Sequence, residues 1–227
     1  MKYAYVLFDL DGTLTNPAAG ICASIRYALE QGGYPAEPME AYLPWIGPPL
    51  LDSFIRYLGV DGAEAQRLLQ LYRQRFSTVG LFENALIDGI PTLLRRLRDN
   101  GIRMAVATGK PTVYAEQILE HFGIRSFFDM VSGIELSGEG TTKAEVIANA
   151  LANWGLTDTR RCVMVGDRCH DVEGAEAHGM DCVYVLYGYG SREEAEGWGA
   201  TQIAENAAEL EQILLPSLPP NGSLFRE

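Results

Sequence analysis

The sequence predicts an α/β protein, a doubly wound parallel sheet with helices on both faces and an all-helical unit inserted after its first strand. Three observations carry this reading. An apolar run near the amino terminus, Tyr3 to Leu10, is bounded by Gly12. Helical patterns then follow one another from about residue 15 to 82 with no strand-like run between them. From Leu86 onward, strand and helix patterns alternate.

The opening run reads as a buried strand. Asp9 and Asp11 stand at its carboxyl end, two apart on an extended segment, so both can look into one space. Thr13 to Pro17 is turn chemistry, with Thr15 or Asn16 as a cap before Pro17. Ile21, Ile25, Ala28 and Leu29 predict a helix over 18–31 that Gly32-Gly33 stops. Further helices are expected at about 38–44, 50–58 and 62–78. A helix over 90–100 then ends at Gly101, and a strand over 102–107 ends in the turn Thr108-Gly109-Lys110-Pro111. The alternation continues with a helix at 112–122, a short strand at 129–133 and a glycine-rich loop, Ser137-Gly138-Glu139-Gly140. Next come a helix at 142–154, a strand at 162–165 running into Gly166-Asp167, a helix at 170–178 and a strand at 181–186. A strand–helix pair fills 201–215. The expected organisation is therefore a core of residues 1–14 and 83–215, a helical insert of 15–82, and a proline-rich flexible tail of 216–227.

Composition bounds the function. The chain has 227 residues, 47% of them hydrophobic, enough for one large domain or a domain with an insertion. Nothing approaches the ~20 apolar residues of a membrane span. Asp9 and Asp11 interrupt the amino-terminal run too early for a signal peptide. The four cysteines form no C-x-x-C pair and fit reduced thiols of a cytoplasmic protein. A net charge of −12 argues against nucleic acid or an anionic membrane as partner. A small anionic substrate stays open if a metal and local cations reverse the field. Cations are few in kind: 15 arginines accompany only three lysines, Lys2, Lys110 and Lys143.

In a parallel sheet the carboxyl ends of all strands lie on one side. Asp9 and Asp11, Thr108, Lys143, and Asp167 with Asp171 can therefore converge. Four carboxylates in one place repel each other unless a cation holds them. Oxygen-only donors favour a hard ion, and Mg²⁺ suits a phosphate-handling site. The three histidines are too scattered for a zinc site.

These residues carry a family resemblance over nearly the whole chain. Asp9-Leu10-Asp11-Gly12-Thr13, Thr108 after an apolar strand, Lys143 at a helix start, and Gly166-Asp167-Arg168-Cys169-His170-Asp171 resemble the four motifs of the haloacid dehalogenase-like hydrolases. The resemblance implies a Rossmann-like core with a mobile helical cap, here residues 15–82. It implies Asp9 as nucleophile forming an aspartyl-phosphate, and Asp11 as proton donor and then base. It implies Mg²⁺ held by Asp9, the Asp11 carbonyl and Asp167, with Asp171 orienting a bound water or steadying Lys143. Thr108, Gly109 and Lys143 would bind the phosphoryl group. Gly47 in the turn Trp45-Ile46-Gly47-Pro48-Pro49, with Arg26, Arg56 and Lys110, are candidate readers of the substrate.

Absences narrow the branch. The family's dehalogenases lack the second aspartate, and its phosphonate-cleaving members use a cap lysine, whereas no lysine lies between Lys2 and Lys110. Sugar phosphomutases usually carry Asp-Gly-Val where this chain reads Asp11-Gly12-Thr13, which leaves a mutase as the alternative, followed by a non-catalytic phosphate-binding protein. Ile46 to Leu50, Thr108 to Pro111 and Gly188-Tyr189-Gly190-Ser191 resemble the phosphoglycolate phosphatase and 5'-nucleotidase branch. The expected substrate is a small phosphorylated metabolite, and the expected state is a monomer or homodimer.

Overall fold

The computed structural model describes residues 2–136 and 141–215. The glycine-rich loop 137–140 and the tail 216–227 lie outside the described residues. Six parallel strands form the main sheet: β1 (Tyr5–Phe8), β4 (Arg103–Pro111), β5 (Met130–Ile134), β6 (Cys162–Gly166), β7 (Asp181–Val185) and β8 (Gln202–Ala204). Their order is β5-β4-β1-β6-β7-β8. The chain thus builds outward on one side of β1 and then crosses to build on the other. The carboxyl end of β1 is the switch point, where open α/β sheets bind ligands.

Register fixes what emerges there. Phe8 lies opposite Val106 of β4 and Val165 of β6. Asp9, Thr108 and Asp167 therefore leave three adjacent strands within two residues of the same height. Both sheet faces are covered, so the strands read as continuous apolar runs. Val6 and Phe8 join the core on one face with Leu93 and Leu94 of α4 (Ile90–Asp99) and Ile118 of α5 (Thr112–His121). Leu7 points to the other, against Val146 and Ile147 of α6 (Lys143–Asn153) and Val172 of α7 (Cys169–Glu176).

Between β1 and β4 run α1 (Ala18–Gly32), a 3-10 helix (Met39–Trp45), α2 (Leu50–Leu58) and α3 (Gly62–Arg75). The pattern over 62–78 resolves into α3 and a wider π-turn, Phe76–Gly80. Gly20 and Gly80 meet there so closely that a β-carbon on Gly20 would strike the Gly80 carbonyl.

Three features depart from expectation. Thr15–Asn16 forms β2 and Ala85–Leu86 forms β3, an antiparallel ribbon where the chain enters and leaves the helices. Asn16 still serves α1, accepting the Ala18 N–H at 3.2 Å. β4 does not stop at residue 107; it continues to Pro111 through a register shift between Ala107 and Pro111. Thr108 to Lys110 lie within that irregular stretch. Finally, α8 (Arg192–Gly197) is capped by Ser191, which accepts the Glu194 N–H at 3.2 Å. That Ser-x-x-Glu spacing is a helix-start signal already present in the sequence. The last helix, α9 (Ala207–Leu214), closes the described chain.

Candidate active site

Asp9 follows β1 directly and is buried. Its neighbours turn sharply: Gly12 donates to the Thr15 carbonyl at 2.7 Å, and Leu14 to that of Leu10 at 2.9 Å. Gly12 holds φ at +85°, and a β-carbon there would run into the Asp167 carboxylate. The turn thus needs glycine on two counts, dihedral and space.

Lys143 begins α6, whose start is set by a capping box between Thr142 and Glu145. Its ammonium meets Asp9 Oδ1 at 2.8 Å, Asp171 Oδ1 at 2.7 Å and the Ala107 carbonyl at 3.0 Å. Burial alone would pull the Lys143 pKa down; Asp171 and Asp9 more than reverse this, and it stands raised. The lysine stem passes over Gly174 of α7, where a β-carbon would come within 2.7 Å of its Cγ.

Asp167 follows β6 directly and is fully buried. Its Oδ2 accepts the Tyr189 N–H at 2.7 Å, and Thr13 Oγ1 approaches Oδ1 at 3.4 Å. Burial, reinforced by Asp9 and Asp171, pushes its carboxyl well above the usual range. Asp171 lies in the first turn of α7 and accepts the Arg168 N–H at 3.1 Å. Burial raises it to about 6, with Lys143 opposing and Asp9 adding.

Asp11 faces Lys110, whose ammonium lies 2.6 Å from Oδ2. The other oxygen, Oδ1, is buried with no hydrogen-bond partner among the described residues. Burial raises the Asp11 pKa, and Lys110 opposes that shift. Lys110, a candidate reader of the substrate, is thus drawn into the site itself. It is buried, and its ammonium sits 4.8 Å above the Phe76 ring from the insert. Thr108 is buried as well, its hydroxyl accepting the Lys110 N–H at 3.2 Å, while Gly109 is exposed between them.

The sequence candidates thus divide. Asp9, Asp11, Thr108, Lys110, Lys143, Asp167 and Asp171 come together at the strand ends. Arg56 does not join them: it is exposed on α2, with its guanidinium over the Tyr57 ring at 5.5 Å. Arg26 is likewise exposed and paired with Glu30 at 2.8 Å. Gly47 reaches the site's rim through Arg168, discussed below. Sequence reasoning passed over Tyr187, whose hydroxyl donates to the Thr13 carbonyl at 3.3 Å, and gave Tyr189, whose hydroxyl lies 2.7 Å from Asn16 Oδ1, no role beyond its segment's resemblance. Their signal was the glycine-rich run after β7, which lets the backbone crowd Asp167.

Magnesium fits this donor set. Asp9, Asp167 and Asp171 each offer a carboxylate oxygen, and the three oxygens lie within 4.8 Å of one another. All are hard ligands. Burial is the main cause of the upward shifts of Asp167 and Asp171, and the neighbouring Asp9 carboxylate adds to both. Among the described residues no helix is long and apolar enough to cross a membrane.

Comparison with known proteins finds relatives over nearly the whole chain. Residues 6–185 match the family model described as haloacid dehalogenase-like hydrolase. A 5'-nucleotidase of Pseudomonas aeruginosa is 41% identical over 94% of this chain and 96% of its own. A protein of Mycobacterium tuberculosis named tyrosine-protein kinase PtkA is also 41% identical, over 92% of this chain and 70% of its own. The crystal structure of a predicted phosphatase from Clostridium acetobutylicum superposes with a TM-score of 0.88 at 40% identity. It covers 95% of this chain and 99% of that one.

Proposed function

The chain belongs to the haloacid dehalogenase-like hydrolase family and groups with its phosphatases, and from that premise we propose that it hydrolyses small organic phosphomonoesters through Asp9. The observation that carries the proposal is the pair of aspartates with separate cations. Asp9 is held by Lys143 at 2.8 Å and Asp11 by Lys110 at 2.6 Å. Two like carboxylates on one turn are thereby given different surroundings, which is how acid and nucleophile are told apart.

In the first step the Asp9 carboxylate attacks phosphorus. The new P–O bond forms as the bond to the leaving alkoxide breaks, and Asp11 gives that oxygen a proton. In the second step Asp11, now a carboxylate, takes a proton from water as the water attacks the phosphoryl group, and Asp9 is restored. Lys143 steadies the nucleophile and balances phosphoryl charge; Thr108 and the Gly109 backbone hydrogen-bond the transferring oxygens. Asp9, the Asp11 carbonyl and Asp167 would hold Mg²⁺, with Asp171 behind them, its Oδ1 2.7 Å from the Lys143 ammonium. When bound, the ion offsets the carboxylate charge that would repel a phosphate dianion.

Residues 15–82 act as a cap over the core of 1–14 and 83–215, with the β2–β3 ribbon at the crossing. The leaving group is read by the loop around Gly47 and by Lys110. Nucleoside 5'-monophosphates and phosphoglycolate are the substrate classes we assign, in the cytoplasm. The name of the P. aeruginosa relative supports the first, and the branch resemblance of the motifs supports both. The test is phosphate release across glycolate, nucleoside and sugar phosphates, repeated with Asp9→Asn. The variant should fold and lose turnover; activity within tenfold of the parent would overturn the assignment.

A further inference from the structure

The residue after Asp167 does something the phosphatase reading does not use. Arg168 sits between Asp167 and Asp171, yet its side chain leaves them. Nε donates to Glu194 Oε1 of α8 at 3.1 Å, and Nη1 donates to the Ile46 carbonyl at 3.1 Å, 122 positions away in the chain. Glu194 Oε1 is itself fixed, accepting the Cys169 N–H at 2.7 Å and the Tyr184 hydroxyl at 2.9 Å. One edge of the guanidinium is therefore anchored in the core. The other holds the loop that follows the 3-10 helix of the insert.

The loop is shaped for this contact. Ile46 is buried and Trp45 packs edge-on against both Tyr42 and Phe54. Gly47 follows at φ +107°, and a β-carbon there would collide with the Arg168 guanidinium. Lysine could not replace this arginine, since a single ammonium lacks the planar fork that spans two fixed acceptors.

We propose that Arg168 is a positioning residue, a latch that holds the Ile46–Gly47 loop of the cap against the Asp167 segment and so favours the closed cap. Opening costs the guanidinium–carbonyl bond, which exchanges a charged donor's partner for water. The latch carries no proton and touches no reacting atom. It raises the fraction of molecules competent to bind, and apparent affinity scales with that fraction.

Hydrogen–deuterium exchange on the full chain tests the contact directly. In Arg168→Ala, amides of residues 39–53 should exchange on the order of ten- to a hundredfold faster, the range for a hydrogen bond to a charged group. Strands β6 and β7 should keep their rates. Arg168→Lys, which retains a cation beside Glu194, should move the same segment in the same direction. With p-nitrophenyl phosphate as probe, both variants should raise KM roughly tenfold and leave kcat within about twofold. Gly47→Ala perturbs the same contact, so the Gly47→Ala/Arg168→Ala double variant should fall well short of the product of the single effects. Unchanged exchange at 39–53 in both arginine variants overturns the latch. So does acceleration spread equally over residues 162–185, which would mark Arg168 as a strut of the core. The kinetic arm rests on the phosphatase reading. If the parent releases no phosphate from any monoester, that reading falls while the exchange result still decides the latch.

Discussion

Replacing Lys143 by methionine tests the electrostatic centre of the site. The ammonium stands 2.8 Å from Asp9 Oδ1 and 2.7 Å from Asp171 Oδ1, with the three side chains 10%, 12% and 1% exposed. At an effective dielectric of about 20, each attraction amounts to about 6 kcal/mol. Desolvation of the three ions offsets much of that sum. Removing the cation does not return the carboxylates to water, however; it leaves them facing each other. Breaking a buried pair in this way costs about 3–5 kcal/mol. Methionine keeps most of the stem's volume, so little of the loss comes from a cavity. In a chain of this size 1 kcal/mol moves the melting midpoint by about 2–4 °C, so the variant should melt roughly 6–20 °C lower. Calorimetry in the presence of a chelator is the assay. Mg²⁺ should then recover more of the midpoint in the variant than in the parent, because it supplies the missing charge to the same carboxylates. A midpoint within about 2 °C of the parent under chelation would refute the reasoning.

Three further outcomes follow from the same geometry. Asp167 and Asp171 are raised in the folded state, Asp171 to about 6 from an ordinary 3.8, so their contribution to stability is present below pH 3.8 and lost as pH rises through the folded values. The rise in melting midpoint produced by Mg²⁺ should therefore be larger at pH 7 than at pH 5; an equal rise would mean the ion binds elsewhere. Asp11→Asn should stop turnover of alkyl and aryl phosphates alike, yet an aryl phosphate, whose leaving group needs little protonation, should still phosphorylate Asp9 in a single burst seen by rapid quench. Equal loss of that first step for both substrates would make Asp11 a scaffold residue. Gly174→Ala puts a methyl within 2.7 Å of Lys143 Cγ and should lower kcat about tenfold or more by displacing the ammonium. A kcat equal to the parent's would show that the stem has room to move.

What the sequence shows and hides follows from period and distance. The long helices were legible because ten or more residues repeat one spacing, as Ile21, Ile25, Ala28 and Leu29 do in α1. The strands were legible because a sheet covered on both faces demands unbroken apolar runs. β2 and β3 were not, because two-residue strands have no period to detect. Thr108 to Pro111 read as a turn from its glycine and proline, whereas pairing of Pro111 with Ile134 keeps it in the sheet beyond a register shift. The chemical types at the site were readable because acids on one strand end must find cations. The family resemblance set Lys143 beside the nucleophile Asp9, but nothing in the order of residues pairs Lys110 with Asp11. The Arg168–Ile46 contact joins positions whose neighbours share no pattern, and only the folded chain brings them together.

The β2–β3 ribbon has a further consequence. Thr15 pairs with Leu86 and Asn16 with Ala85, so the segment between them leaves and returns at adjoining points. Whatever lies between is a closed excursion whose ends stay fixed. The entropy of closing a loop grows only with the logarithm of its length, roughly 0.6 kcal/mol for each doubling. Helices in the excursion can then lengthen, shorten or be exchanged at almost no cost to the sheet. A lineage built on this plan can change what covers the strand ends while the aspartates beneath keep their places.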